Sequence, residues 1–189
     1  MTKNEIRTYI RTSINEHQNE LLDNSNKIQD IILHSYEYKK ADILIAYMAL
    51  PDEVMLSKVI SQALTDGKKV YLPHVFPKST KMEFYEYTKE TKTVIGEYDI
   101  PEPELDNKKV LIPSIINKAS NILALIPGRA FTKNGNRLGR GKGFYDIYFE
   151  DVADNKKITL AGVCFPFQIV EELPLKKNDI NMDLIFTCK

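Results

Sequence analysis

The sequence is poor in cysteine, has no net charge and contains no apolar run long enough to span a membrane. Its two cysteines, Cys164 and Cys188, are too few for a disulfide framework or a zinc site. The 26 basic residues are balanced by 26 acidic ones, which argues against nonspecific nucleic-acid binding, since that needs a broad basic surface. The first twenty residues lack the apolar core of a signal peptide. We therefore expect a cytoplasmic globular protein that binds neither nucleic acid nor a membrane.

Apolar runs alternate with amphipathic stretches along most of the 189 residues. Helical spacing predicts helices over residues 3–20, from a cap at Ser25, and from Pro51 onward. Strands are predicted at 42–48, 69–75, 121–126, 158–165 and 184–187, with an antiparallel or edge strand at 81–87 and an extended connection at 95–105. This alternation predicts a three-layer α/β/α fold with a mostly parallel, open, Rossmann-like sheet and helices on both faces. No repeat or linker divides the chain, so we expect one domain over residues 1–189.

The segment at 137–146, RLGRGKGFYD, alternates Gly139, Gly141 and Gly143 with two cations. Glycine lets backbone N–H groups approach a ligand closely, and the apolar stripe of Phe144, Tyr148 and Val152, at i, i+4 and i+8, predicts that a helix follows. The free N–H groups of a helix N-terminus attract anions, so a triphosphate with Mg²⁺ would suit this segment.

The glycine spacing is neither the dinucleotide G-x-G-x-x-G nor the P-loop pattern, and taken alone it also fits a solvated turn. Between residues 129 and 142, however, there are five basic residues and no acidic one in an otherwise neutral chain. A local excess of this kind favours an anionic ligand over general attraction to polyanions.

Two further sets of charges accompany this segment. Lys3 and Arg7 lie four residues apart and share one face of the first predicted helix, although two solvated charges would give the same pattern. Glu53 follows the strand at 42–48, and the glycine segment follows the strand at 121–126. Ligands of such sheets bind beyond the carboxyl ends of the strands, where these residues would meet.

With these residues in place, the sequence resembles the 5-formyltetrahydrofolate cyclo-ligases, also called methenyltetrahydrofolate synthetases, along nearly its whole length. The most specific match is IPGRAFTKNGNRLGRGKGFYD, residues 126–146. Weaker matches follow the family's order: Lys3, Arg7, Tyr47, Met48, Glu53, residues 96–103, Gln168, Pro174, Asp179 and Thr187.

The resemblance implies ATP- and Mg²⁺-dependent cyclisation of 5-formyltetrahydrofolate, with or without a polyglutamyl tail on the substrate. We expect the protein to be a monomer. The residues implied for the nucleotide are Lys3, Arg7, Arg137, Gly139, Arg140, Gly141, Lys142, Gly143, Phe144 and Tyr145. Of these, Lys3, Arg7, Arg140 and Lys142 are expected to act in catalysis. The residues implied for the folate are Met48, Glu53 and Tyr145, although an aromatic beside a helix start is equally typical of packing. The residues implied for Mg²⁺ are Asp146 and Asp179.

The sequence departs from the family pattern around the folate pocket. Met55 and Leu56 replace an acidic residue and a threonine, Arg129 replaces an apolar residue, and Asn121 and Thr132 stand where aspartate is common. Two other functions therefore stay open: a diverged folate- or nucleotide-binding protein without turnover, and an ATP-dependent ligase or kinase acting on another small acceptor. RNA binding is disfavoured because the basic segment lacks a wider basic face with interleaved aromatics.

Overall fold

The computed structural model describes residues 1–76, 78–96, 99–106, 110–111, 113–150, 155–176 and 178–189. The helices are α1 (Lys3–Glu16), α2 (Leu21–His34), α3 (Tyr36–Lys40), α4 (Ser57–Thr65), α5 (Pro113–Lys118) and α6 (Phe144–Glu150), with short 3₁₀ helices at Gln18–Glu20 and Pro166–Gln168. The strands are β1 (Ile43–Ile45), β2 (Lys69–Val75), β3 (Met82–Tyr87), β4 (Thr93–Ile95), β5 (Pro101–Pro103), β6 (Ile122–Pro127), β7 (Ala130–Thr132), β8 (Arg137–Leu138), β9 (Ile158–Val163), β10 (Ile169–Val170) and β11 (Leu184–Phe186).

Six of these strands form the main sheet, in the order β11–β9–β6–β1–β2–β3. All neighbours are parallel except β2 and β3, so β3 is the antiparallel edge strand that the alternating pattern predicted. Every residue of β6 is buried, as expected for a parallel strand that is covered on both faces. The prediction of a mostly parallel, open sheet is confirmed.

Helices cover both faces of this sheet. On one face, Leu44 of β1 belongs to a core with Ile28 of α2 and Val59 of α4. On the other face, Ile45 of β1 belongs to a core with Phe149 of α6. Successive strand residues point to opposite faces, so these two cores give the predicted three layers. The stripe position Val152 lies outside the described residues.

Two predicted helix starts are wrong. Helix α2 begins at Leu21, and Ser25 is buried inside it, where its hydroxyl accepts the Met55 N–H at 3.2 Å. Helix α4 begins at Ser57 instead of near Pro51, and its Lys58 N–H donates to the Gln29 side chain of α2 at 2.8 Å. Side chains of α2 therefore satisfy backbone groups in and after the β1–α4 connection.

Residues 129–142, the basic stretch before α6, contain strands that the sequence did not predict. These strands are β7 and β8, which pair with β10 in a second, three-stranded sheet. Helix α1 packs Ile6, Ile10 and Ile14 against Ala130 and Leu138 of this sheet. The packing places the N-terminal helix beside the glycine segment, although the two are far apart in the chain.

The predicted connection at 95–105 likewise contains strand residues, since β4 and β5 pair there as an antiparallel hairpin. Glu97 and Tyr98 of this connection lie outside the described residues. No helix in the described part of the chain combines the length and the hydropathy needed to cross a membrane.

Candidate active site

A cavity of about 250 Å³ opens beyond the carboxyl ends of β1, β2 and β6. Residues that follow β1, β6 and β8 form much of its wall, as the sheet topology leads one to expect. Its described lining is Tyr47, Met48, Leu50, Glu53, Pro73, Val75, Met82, Ile100, Glu102, Pro127, Gly128, Arg137, Gly139, Arg140, Lys142, Gly143, Phe144, Tyr145 and Asp146. Apolar walls and several charged groups thus meet in one space, which suits a ligand that has a flat ring and an anionic part.

The glycine segment lies directly against helix α1. The Arg7 guanidinium donates through Nε to the Gly139 carbonyl at 3.0 Å. The space where a Gly141 side chain would begin is 3.6 Å from the Arg7 Cζ. The structure therefore brings Arg7, from one end of the chain, to the glycines that the sequence assigned to the same ligand.

Two of these glycines adopt backbone conformations that other residues rarely take. Gly141 has φ +112° and Gly143 has φ +75°. A side chain at either position would strain the backbone, independently of any packing. Gly143 also accepts the Ile147 N–H of α6 at 2.9 Å, so the turn leads straight into that helix.

Asp146 is held by a buried arginine. The Arg137 Nη2 donates to both carboxylate oxygens of Asp146, at 3.1 and 3.2 Å, and its Nη1 donates to the Pro127 carbonyl at 3.0 Å. The Arg137 side chain is only 3 % exposed. Arg137, which the sequence assigned to the nucleotide, thus has an acidic partner within the protein and orients Asp146 on the cavity wall.

Asp179 forms an ion pair with Lys3 of α1. The Lys3 Nζ lies 2.5 Å from the Asp179 Oδ2. Burial opposes ionisation of Asp179, but the Lys3 hydrogen bond and charge, together with the Lys176 N–H, keep its pKa below the ordinary value. The next residue, Ile180, donates its N–H to Asp146 at 3.3 Å, so the segments that carry the two predicted magnesium ligands are in contact.

The acidic turn after β1 contacts the glycine segment through ion pairs. Glu53 accepts the Arg140 Nε–H at 2.9 Å through Oε1 and the Leu50 N–H at 3.1 Å through Oε2. Asp52 accepts a hydrogen bond from Arg140 Nη2, and its other oxygen lies 2.5 Å from Arg129 Nη1. Burial works against the Asp52 charge, but Arg140 and Arg129 outweigh it and keep the Asp52 pKa below the ordinary value. Sequence reasoning used Asp52 only as part of a predicted helix start and gave it no role in the site, where its adjacency to Glu53 was the one available signal.

The five predicted nucleotide cations differ in their acidic partners. Lys3, Arg137 and Arg140 each form an ion pair with a carboxylate. Within the described parts of the chain, Arg7 and Lys142 have no such partner: Arg7 donates to Gly139 and Asn4, and Lys142 is exposed. The positive charge left uncompensated is therefore concentrated on the glycine segment and the face of α1 that contacts it.

Tyr145 serves both the cavity and the core. Its ring lies 5.5 Å from the Arg137 guanidinium and 6.4 Å from the Phe84 ring, and it also lines the cavity. Burial raises the pKa of its hydroxyl, so the group is neutral at physiological pH. The structure thus combines the packing and pocket positions that the sequence left as alternatives for Tyr145. Met48 also lies on the cavity wall.

A buried carboxylate at the cavity wall was missed by sequence reasoning. Glu102 of β5 is 2 % exposed and accepts the Val75 N–H at 3.1 Å. The His74 Nδ1 lies 3.1 Å from the same oxygen. These contacts join the β4–β5 hairpin to the end of β2 and fix one side of the cavity.

Acid should destabilise the protein through Asp52 and Asp179. A carboxyl group whose pKa is lowered by folding stabilises the fold above its unfolded pKa of about 3.9, and loses this contribution as the pH falls through its folded pKa. We expect the thermal midpoint of the wild type to fall progressively below about pH 5. In a variant with Asp52→Asn and Asp179→Asn, the midpoint at pH 7 should be lower and the acid-induced fall smaller. Calorimetric scans from pH 7 to pH 3 measure both, and an equal fall in the two proteins would contradict the assignment.

Known proteins of one family are similar to this chain in sequence. The sequence model of the 5-formyltetrahydrofolate cyclo-ligase family matches residues 1–188. The probable 5-formyltetrahydrofolate cyclo-ligase of Schizosaccharomyces pombe is 27 % identical, over 99 % of this chain and 95 % of its own length. The 5-formyltetrahydrofolate cyclo-ligase of Haemophilus influenzae is 30 % identical, over 94 % of this chain and 93 % of its own length.

Solved structures give the same result for the fold. The NMR structure of the Aquifex aeolicus 5,10-methenyltetrahydrofolate synthetase superposes with a TM-score of 0.76 at 27 % identity, covering 98 % of this chain and 89 % of that one. The Mycoplasma pneumoniae 5,10-methenyltetrahydrofolate synthetase superposes with a TM-score of 0.69 at 21 % identity, over 99 % of both chains. At that identity the second match supports the fold alone.

Proposed function

The chain belongs to the 5-formyltetrahydrofolate cyclo-ligase family, and from that premise we propose that it converts 5-formyltetrahydrofolate to 5,10-methenyltetrahydrofolate with ATP and Mg²⁺. The products on the nucleotide side are ADP and phosphate. One observation carries the proposal: the acidic turn after β1 and the basic glycine segment line the same cavity. That cavity offers hydrogen-bond acceptors for a pterin and positive charge for phosphates within reach of each other.

The chemistry explains the requirement for ATP. A formamide carbon is a poor electrophile, and its oxygen leaves poorly in water. Transfer of the γ-phosphoryl group to the formyl oxygen at N5 creates a good leaving group. N10 of the same folate then attacks the formyl carbon intramolecularly, at high effective molarity, loses its proton, and phosphate departs as the ring closes.

We assign the phosphates to Arg7, Lys142 and the backbone of Gly139, Gly141 and Gly143. Phosphoryl transfer asks a protein mainly for positioning and for stabilisation of developing charge. Arg7 and Lys142 are suited to this because no described carboxylate neutralises them. Lys3 and Arg140 would join them once phosphate oxygens compete with their present partners, which are Asp179 for Lys3 and both Asp52 and Glu53 for Arg140.

We assign the pterin to Glu53, with Met48 and Tyr145 against its ring. A carboxylate can accept paired N–H donors from a planar heterocycle. The Glu53 side chain is 10 % exposed and faces a cavity that Met48 and Tyr145 also line. Burial of this kind strengthens a charge-assisted hydrogen bond, because the surrounding dielectric is low.

The acidic residues of the site fit Mg²⁺ bound together with a nucleotide. No group of three or more His, Cys, Asp or Glu side chains suited to a metal occurs among the described residues. Mg²⁺ usually takes one or two carboxylates and completes its shell with waters and substrate phosphates. Asp146, on the cavity wall, would hold it, with Asp179 nearby. The ion would neutralise charge on the phosphate oxygens.

A turnover assay tests the proposal directly. Purified protein given 5-formyltetrahydrofolate and MgATP should form the methenyl product and ADP in equal amounts, and EDTA should abolish both. Binding of both ligands without product would identify the diverged binding protein considered above. ATP consumption only with a different acceptor would identify another ligase or kinase.

We further propose a cytoplasmic monomer. Both cysteines are free and buried, which suits a reducing compartment. Analytical ultracentrifugation of the purified protein tests the monomeric state.

A further inference from the structure

A four-charge cluster joins the two halves of the site: Asp52, Glu53, Arg129 and Arg140. Arg140 donates to Glu53 at 2.9 Å and also to Asp52, whose second oxygen binds Arg129 at 2.5 Å. Glu53 and Arg140 line the cavity, whereas Asp52 and Arg129 are absent from its described lining. The two carboxylates and two guanidinium groups cancel in charge.

This cluster makes each substrate compete with a contact inside the protein. Arg140 is the cation proposed for phosphate, and Glu53 is the anion proposed for the pterin, yet without ligands they neutralise each other. A phosphate gains little from a guanidinium already paired with two carboxylates. A pterin likewise finds one oxygen of Glu53 engaged by Arg140.

We propose that Asp52, itself held by Arg129, is a positioning residue that retains Arg140 beside Glu53 and thereby couples the binding of the two substrates. The inference rests on the proposed function. Pterin N–H groups that bind Glu53 weaken its hold on Arg140, which becomes available to phosphate. Phosphate that draws Arg140 away exposes Glu53 to the pterin. Thermodynamic linkage requires the two effects to be equal in size.

Asp52 is suited to this role by its charge and location. Its side chain is 29 % exposed, and Arg129, only 11 % exposed, anchors one of its oxygens. Asp52 is absent from the described cavity lining, so the fixed carboxylate holds Arg140 from outside the cavity.

The coupling can be measured by titration calorimetry. The affinity for the Mg²⁺ complex of a non-hydrolysable ATP analogue is determined with and without saturating 5-formyltetrahydrofolate, and the ratio is the coupling factor. In the wild type the factor should lie between roughly 5 and 150. In Asp52→Asn, Arg140 keeps only its contact with Glu53 and is held less firmly, so the analogue alone should bind more tightly and the factor should fall below the wild-type value.

Arg129→Met should act in the opposite direction. Asp52 then keeps Arg140 as its sole described cationic partner and holds it more firmly. The analogue alone should bind more weakly than to the wild type, while the coupling factor persists. A purely structural role of the cluster would instead weaken analogue binding in both variants and leave the factor unchanged.

Glu150→Gln controls for simple long-range charge. Glu150 is exposed on α6 and accepts a hydrogen bond from Asn178. Its replacement by glutamine changes the net charge by the same amount as Asp52→Asn and removes no contact with Arg140. Its coupling factor should equal that of the wild type. The inference is overturned if both ligands bind the wild type with a factor of 1, or if Asp52→Asn keeps the wild-type factor. If the wild type does not bind 5-formyltetrahydrofolate at all, the proposed function itself is wrong.

Discussion

Replacing Lys142 by alanine should lower turnover by about 100-fold or more and raise the KM for ATP, while the fold survives. Loss of one preorganised group that stabilises transition-state charge typically costs roughly 100- to 1,000-fold in rate. Lys142 belongs to the cavity wall, is exposed, and has no acidic partner in the described structure. The substitution therefore removes uncompensated positive charge from the site and deprives no described carboxylate of its ion-pair partner.

Steady-state kinetics with varied ATP and a thermal scan test this prediction together. Lys133→Ala is the matched control, since Lys133 is exposed in the turn between β7 and β8 and does not line the cavity among the described residues. That control should retain wild-type kinetics. Wild-type turnover in Lys142→Ala would show that Lys142 has no role at the phosphates. A large fall in the thermal midpoint would show that the lower turnover comes from loss of stability.

Replacing Glu53 by glutamine should weaken folate binding by roughly 10- to 100-fold, since hydrogen bonds to charged groups contribute about 1.5–3 kcal/mol. The amide keeps the shape of the side chain but loses the charge and one of the two acceptor oxygens. Binding of the nucleotide alone should not weaken, because Arg140 loses a competing partner. Separate calorimetric titrations with 5-formyltetrahydrofolate and with the ATP analogue measure the two effects.

Glu20→Gln provides the matched control, because Glu20 is exposed in the 3₁₀ helix between α1 and α2. It should bind both ligands as the wild type does. A Glu53→Gln protein that lost nucleotide affinity but kept its folate affinity would show that the pterin assignment is wrong.

The sequence predicted the regular elements that are specified by their own periodicity. The strand predicted at 69–75 is observed over the same residues, because its apolar pattern follows the helix-ending Gly67. The predicted helix starts at Ser25 and Pro51 were wrong for the same reason. The hydrogen-bond partners that determine where these helices begin lie in another segment of the chain. The Ser25 hydroxyl binds a backbone group of the β1–α4 connection, so it cannot act as a local cap.

Short strands and long-range ion pairs could not be predicted from local pattern. β8 has two residues, too few to show any period, and it is held by the sheet it joins and by α1. Glu53 and Arg140 were each assigned to a ligand on their own, but their contact joins positions 87 residues apart. Only the folded topology, which brings the ends of β1 and β6 together, makes them partners.

The support that α2 gives to the β1–α4 connection has a consequence for natural variation. Ser25 and Gln29 are almost fully buried, lie outside the cavity lining described here, and bind backbone groups just beyond the turn that carries Glu53. Substitutions at these remote polar positions would free that backbone to shift. Such substitutions would lower the affinity for substrate in a protein that still folds. A genetic screen for weak activity would therefore recover changes at positions far from any ligand.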